Sequence, residues 1–455
     1  MLMAERYADL QRAARVRERS LFPLQRCPSE LEIQARWYAG EFGRLFTSTT
    51  GDKIEIAQFG TWNREAGPDF RDAAIRINGK AAQIGCVEID LTDRSWETHG
   101  HAVNPAFENT VLHIFVNQSD RTFFSRTVSH RNVPQIRLDL SALSDSLSQN
   151  VPLARAGRCH SPLKDLPAER VASILRSAAE FRLQKKAHRL QTAIDCHGRD
   201  EALFHEIATA LGYKENKLPF SVLAQRATLK PLRDDALAAE AILFGFAGFL
   251  GAPDLAALPI GTRDYVRGLW DRWWPYRDEM QRLVLSRDIW RITGTRPLNH
   301  PHRRLAALAV IVTHWSKLRR ALEIPSCEGM RKFFTSIDHP FWRQHYTLAS
   351  EPASRAMALL GDSRIDEILA NICFPLWSLG NESVWPEYSK LPARLTNRRV
   401  ETAATRLFGS DNRGKAFMKT VAHQQGLLQI YEDFCLQDDS DCAECPFPEQ
   451  MLRWE

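Results

Sequence analysis

Residues 67–90 read GPDFRDAAIRINGKAAQIGCVEID, and the fold of the first third of the chain follows from this stretch. Pro68-Asp69 opens a short extended run, a turn bearing Gly79 follows, and a second run ends in Glu88-Ile89-Asp90. Side chains two apart on a strand share a face. Glu88 and Asp90 therefore project together, opposite the side that Val87 and Ile89 bury. If the two runs pair as a hairpin, Asp69 comes to lie near that carboxylate pair. Three converging carboxylates predict a Mg²⁺ or Mn²⁺ site, because hard cations prefer oxygen ligands. A Glu on a central strand also needs a partner or a metal to offset its burial.

Working outward, SELEIQARWYAGEFGRLF (residues 29–46) places Leu31, Ala35, Tyr38 and Phe42 at helical spacing behind a Ser29 cap, with Glu32 three residues on. Short extended runs are expected at 53–58, 72–77, 84–90, 110–116 and 135–140, punctuated by Gly, Asn and Asp. One helix followed by a small mixed sheet predicts an α/β domain over residues 29–150. Residues 1–28 read as a basic helix or arm, with Arg6, Arg12, Arg15, Arg17 and Arg19. Such an arm is either a solvated helix or a phosphate-contacting segment.

Beyond Pro152 the pattern changes. ERVASILRSAAEFRLQKKAHRLQTAI (169–194) is a long amphipathic helix, and helical stretches continue to about residue 434. The expected class is α+β: a small α/β domain, a large all-helical region over 151–434, and a Cys-containing tail over 435–455. AEAILFGFAGFLG (239–251) is apolar nearly all round and predicts buried core. Arg182, Lys185, Lys186 and Arg189 read as a solvated face. Arg296, Asn299, Arg303 and Arg304, around two prolines before a helix, suggest an anion-binding N-terminus.

Two further constellations carry chemistry. LTDRSWETHGHAVNPAFENTVLHIF (91–115) adds His99, His101 and His113. His99 and His101 flank Gly100, a spacing that lets both rings reach one point, and with Asp69 and Glu88 they make a mixed site suited to Mn²⁺, Fe²⁺ or Zn²⁺. His113, between Val111 and Phe115 on a predicted strand, reads equally as a core histidine. At the other end, FCLQDDSDCAECPFPEQ (434–450) carries Cys435, Cys442 and Cys445, a thiolate grouping suited to Zn²⁺ or an Fe–S cluster. Cys159 is the expected fourth ligand, with His160 as fallback.

The 455 residues are 44% hydrophobic and 25% charged, those of an ordinary globular chain. No run of 18 apolar residues occurs and the first 20 residues lack an apolar signal core, so a cytoplasmic protein without a membrane partner is expected. Nine Cys in that compartment argue for free thiols or a metal cluster over a disulfide scaffold. The formal charge of +5 permits a nucleic-acid partner without implying one.

The Pro-Asp and Glu-x-Asp arrangement resembles the PD-(D/E)XK nuclease core, in which Asp and Glu hold the metal and a Lys two residues after the Glu assists the attacking water. The resemblance implies a restriction-endonuclease-like domain that hydrolyses DNA, with Asp69 and Glu88 as metal ligands. Asp90 stands at the Lys position, so Asp90, His99 or His101 would orient or deprotonate the water, and Lys80 would serve if its turn folded back over the site. Nearly the whole chain, from about Trp37 to Cys445, resembles the bacterial family catalogued as domain of unknown function 2851. That likeness rests on Gly51 through Ile56, Asn63, Gly67 through Phe70, Gly85 with Val87-Glu88-Ile89, Trp96, His99, His101, Asn109 and Leu112-His113. It continues through Phe244-Gly245, Ala247-Gly248, Arg296-Pro297, Asn299, Pro301, Gln425-Gly426 and the terminal Cys. The family pattern carries His where this chain has Asp90, and membership implies no particular activity. Three readings stand: a metal-dependent nuclease, a catalytically inert nucleic-acid-binding or scaffold protein, and a non-nuclease metalloprotein using the His pair.

Overall fold

The computed structural model describes residues 3–14, 28–63, 67–140, 159–213, 215–233, 236–251, 255–380, 383–394, 397–436 and 445–452. Alternation in the N-terminal part produces strands β1 (Leu45–Thr47), β2 (Lys53–Gln58), β3 (Thr61–Trp62), β4 (Phe70–Ile77), β5 (Gln83–Thr92), β6 (Thr110–Asn117), β7 (Ser125–Arg126), β8 (Asn132–Val133) and β9 (Gln135–Arg137). The main sheet has the order β1-β2-β4-β5-β6-β9, with β3 on β4, while β7 and β8 pair separately. Up to β5 the neighbours are antiparallel, and β5–β6 and β6–β9 are parallel. The acidic strand β5 thus lies where the sheet changes sense.

The 72–77 run begins two residues earlier than its alternation predicts. A register shift between Phe70 and Ala73 accommodates Asp72 at φ +56°, so the strand continues back through a bulge. Asn78 and Gly79, both at positive φ, make the β4–β5 turn, as an Asn-Gly pair favours. Lys80 in that turn is exposed and lies at the opposite end of the hairpin from the Phe70–Val87 pair. At strand rise this is about 20 Å from the carboxylates, so Lys80 cannot reach them.

Helix α2 (Glu30–Tyr38) starts at Ser29, whose Oγ accepts from Glu32 N at 3.3 Å. Ile33 and Trp37 of α2 join Ile56, Phe70, Val87, Ile89, Leu112 and Ile114 in the core on one face of the sheet. The β5–β6 crossover, with α3 (Ser95–Thr98), covers the other face through Trp96 and Phe107 packed with Val133. Both faces are therefore dry. The carboxylate face is buried too, with Glu88 and Asp90 both beneath the crossover.

The helical region has two cores joined by the 30-residue α4 (Ala168–His197). Leu183, Leu190 and Ala193 pack in the larger, which includes Ala241, Leu243, Phe244 and Ala247 of the apolar 239–251 stretch and also takes in Ala35 of α2. Val171, Ile174, Leu175 and Ala178 pack in the smaller, with Val400, Leu407, Leu427 and Tyr431. Gly426 lets the Val421–Tyr431 helix approach α4, since a Cβ there would lie 2.4 Å from the Leu175 carbonyl oxygen.

Three sequence readings gain detail here, and one of them, the solvated face of α4, is overturned. Helix α1 (Met3–Ala14) is docked by one face, with Tyr7 fully buried and donating to Asp433 Oδ2 at 2.9 Å, while Arg12 on its other face stays exposed. Arg15, Arg17 and Arg19 lie outside the described residues. The tail is continuous with the second core, where Phe447 and Met451 are buried. Arg182, read as solvated, is buried and donates to Gln425, Gln429 and Glu432, and Lys186 donates to Asn371 and Gln425. These cations hold α4 to its neighbours. Among the described residues no helix is long and apolar enough to cross a membrane.

Candidate metal centre

Parallel pairing of β5 with β6 sets Glu88 beside His113 and Asp90 beside Phe115. Glu88, Asp90 and His113 consequently share the face under the crossover. The crossover returns two more imidazoles. His99 caps α3, and Gly100 at φ +74° reverses the chain so that His101 points back at the strand. His99 Nδ1 lies 3.1 Å from Asp90 Oδ1. His101 Nε2 lies 3.1 Å from Glu88 Oε1 and 3.8 Å from Asp90 Oδ2, and His113 Nε2 lies 3.3 Å from Asp90 Oδ2. Ligand atoms of Asp90, His99 and His101 all fall within 4.8 Å of one another. Phe107 stacks on the His101 ring at 3.9 Å, and Trp96 packs against both His101 and His113.

Close approach here is not hydrogen bonding. Asp90 Oδ2, His101 Nε2 and His113 Nε2 are each buried without a hydrogen-bond partner. Buried polar atoms left unmatched cost about 1–3 kcal/mol each. Two orphan imidazole nitrogens facing one orphan carboxylate oxygen are what a bound cation would satisfy.

Asp69 stands beside this cluster. Its Oδ1 accepts from Gln34 Nε2 at 2.8 Å and its Oδ2 from Ile89 N at 2.9 Å, while its own backbone N–H donates to Glu88 Oε2 at 3.0 Å. Asp69 therefore braces Glu88 and the start of β4 against β5, and each of its oxygens keeps a lone pair beyond the hydrogen bond it accepts. Burial, then the neighbouring Glu88, pushes its carboxyl well above the usual range. Glu88 rises from an ordinary 4.5 to about 9, through burial first and Asp90 second. Burial lowers His101, opposed by the charges of Asp90 and Glu30. Glu30, at the start of α2, is an unforeseen neighbour whose carboxyl is raised by burial and by Asp90. Its only sequence signal is its place beside the Ser29 cap, which says nothing of where the helix docks.

At the other end of the chain, burial pushes the Cys435 thiol up to about 12, with Cys159 and Cys445 acting in the same direction and Arg406 against it. Cys435 and Cys445 both pack against the smaller helical core. Cys159 thus comes into the electrostatic range of Cys435 from far along the chain. Cys442 lies outside the described residues. The Arg303 and Arg304 guanidiniums, expected at an anion site, are buried and donate to the carbonyls of His345, Ala358 and Leu359. That correction follows from the 338–361 segment folding over the helix start and consuming its donors.

No curated protein and no solved structure matches the chain. The family described as protein of unknown function (DUF2851) matches residues 33–390, a span that holds Asp69, Glu88, Asp90, His99, His101 and His113 together with most of the helical region. This protein belongs to the DUF2851 family.

Proposed function

We propose that this protein is a metal-dependent nuclease that hydrolyses phosphodiester bonds in DNA, with Mg²⁺ or Mn²⁺ held at Glu88 and Asp90. One observation carries the reading: Asp90, His99 and His101 bring ligand atoms within 4.8 Å of one another on the central strand, with Glu88 close to His101 and His113 close to Asp90. An acidic strand between an antiparallel and a parallel neighbour, with α2 on one face, is compatible with the restriction-endonuclease-like arrangement that the motif resembles. When bound, the ion would supply an activated water and neutralise charge developing on the phosphate. His99, half-exposed while Asp90 beneath it is buried, is placed to take the proton of that water in place of the absent Lys. Asp69 acts through Glu88 as its brace.

Purified protein should cut single- or double-stranded DNA with Mn²⁺, and Asp69→Ala or Glu88→Ala should abolish cutting. Binding of DNA or RNA with a steep salt dependence, and no cutting with any divalent ion, would leave the inert-binder reading in its place. The His99 and His101 imidazoles beside Asp90 support the third reading, a non-nuclease metalloprotein using that pair.

The thiols form a separate proposed site. Cys159, Cys435, Cys442 and Cys445 would hold one Zn²⁺ or one Fe–S cluster per chain, tying the tail to the junction after the sheet and coupling folding to metal. Anaerobically purified protein should be brown if it holds a cluster and colourless with one equivalent of zinc otherwise. Elemental analysis finding neither metal removes the site.

A further inference from the structure

We infer that the sheet-domain centre is a transition-metal site in which His113 is itself a ligand, set in place by Ser125 and Gln135. This deepens the metal-centre reading and rests on it.

His113 is fully buried on β6, and its two ring nitrogens have different surroundings. Nδ1 lies 2.6 Å from Ser125 Oγ and, more remotely, 3.5 Å from Gln135 Nε2, while Ser125 Oγ accepts from the same Gln135 amide at the shorter distance of 3.0 Å. Gln135 is the register partner of His113 on β9, so strand pairing fixes this relay. With Gln135 donating to it, Ser125 Oγ keeps a second lone pair for the Nδ1–H of a neutral imidazole. The lone pair of Nε2 then faces Asp90 Oδ2. Metal-binding histidines are held in this way, with the remote N–H donated to an oxygen that fixes tautomer and ring angle.

Two of the three distances at the inner end fall in the range expected of donors sharing one ion, and the third is a few tenths of an ångström longer. Donors about 2.0–2.2 Å from one ion, at tetrahedral or octahedral angles, stand about 3.0–3.5 Å apart. The pairs His113–Asp90 and His101–Glu88 are 3.3 and 3.1 Å, and His101–Asp90 is 3.8 Å. A protonated Nε2 would instead be expected to align with Asp90 as a hydrogen bond, yet both atoms are without one. A donor set that mixes the imidazoles of His101 and His113 with the carboxylates of Glu88 and Asp90 suits Mn²⁺, Fe²⁺, Co²⁺ or Zn²⁺, whereas Mg²⁺ takes oxygen ligands and keeps several waters.

Metal-free full-length protein should be titrated with Co²⁺, Mn²⁺, Zn²⁺ and Mg²⁺, following melting temperature and the visible bands of Co²⁺. Micromolar Co²⁺ or Zn²⁺ should raise the melting temperature and millimolar Mg²⁺ should not. His113→Gln should weaken Co²⁺ binding at least about tenfold and alter the Co²⁺ bands, because a nitrogen ligand is lost. Ser125→Ala should weaken binding about tenfold, the cost of a lost outer partner, and shift the bands, with Ser125→Thr restoring both. Should His113→Gln fail to fold, the Ser125 pair carries the test alone. Unchanged Co²⁺ spectra in the variants, or Mg²⁺ bound as tightly as Co²⁺, overturn the inference. No nucleic acid enters these measurements. Normal Co²⁺ binding without DNA cleavage would defeat only the nuclease reading, and Mg²⁺-driven cleavage indifferent to His113→Gln would defeat only this one.

Discussion

Asp90→Asn is expected to lower the affinity for Mn²⁺ or Co²⁺ by about a hundredfold or more, beyond the ten- to hundredfold cost of losing an outer partner. Asp90 is the buried hub of the cluster, close to His99, His101 and His113 at once. The metal-free protein should respond in the opposite sense. Asp90 is the second cause of the raised Glu88 carboxyl, so removing its charge relieves repulsion at a buried site and should hold or raise the metal-free melting temperature. Calorimetric titration and paired melts test this, and equal losses with and without metal would make Asp90 a structural residue.

The same titrations carry a pH dependence. Glu88 rises from 4.5 to about 9 on folding, so in the metal-free protein it holds its proton at neutral pH. Its contribution to metal-free stability is complete below about pH 4.5 and is lost as pH rises through about 9. Metal needs the ionised carboxylate, so binding releases that proton and apparent affinity should climb from pH 6.5 to 8.5, by up to about tenfold per unit. Asp90→Asn should flatten the climb.

Arg303→Leu is expected to cost about 3–5 kcal/mol of stability, the range for stripping a buried charged group from its partners. The guanidinium is fully buried and donates to the carbonyls of Trp342, His345 and Ala358, so it pins the 338–361 segment over the 301–313 helix. Leucine fills part of the volume and leaves those carbonyls unmatched. Urea unfolding should show the loss, limited proteolysis should begin within 338–361, and Co²⁺ affinity should not change. A loss below about 1 kcal/mol would mean that the segment is held by its apolar contacts alone.

Local physics was legible in the sequence. Period-two alternation located β2, β4, β5, β6 and β9 to within a few residues, and the same alternation placed Glu88 and Asp90 on one face. Ser29 announced the start of α2, and the apolar 239–251 stretch announced core. These features depend on neighbours a few positions away, and a sequence displays such neighbours directly.

What the tertiary structure decided is which remote groups meet. His113 read equally as core or ligand until parallel register set it beside Glu88 and turned its Nε2 toward Asp90. Asp69 read as a third ligand, and the fold sets it beside Glu88 with one hydrogen bond from Gln34 and one from the Ile89 amide on its two oxygens. Arg182, Lys186, Arg303 and Arg304 read as solvent-facing or anion-binding charges, yet each is spent on carbonyls or side chains distant in sequence. Charge and hydrogen-bonding capacity are written in the sequence. Their partners are chosen by packing, because burying a polar group is tolerable only where the folded chain brings a complementary one.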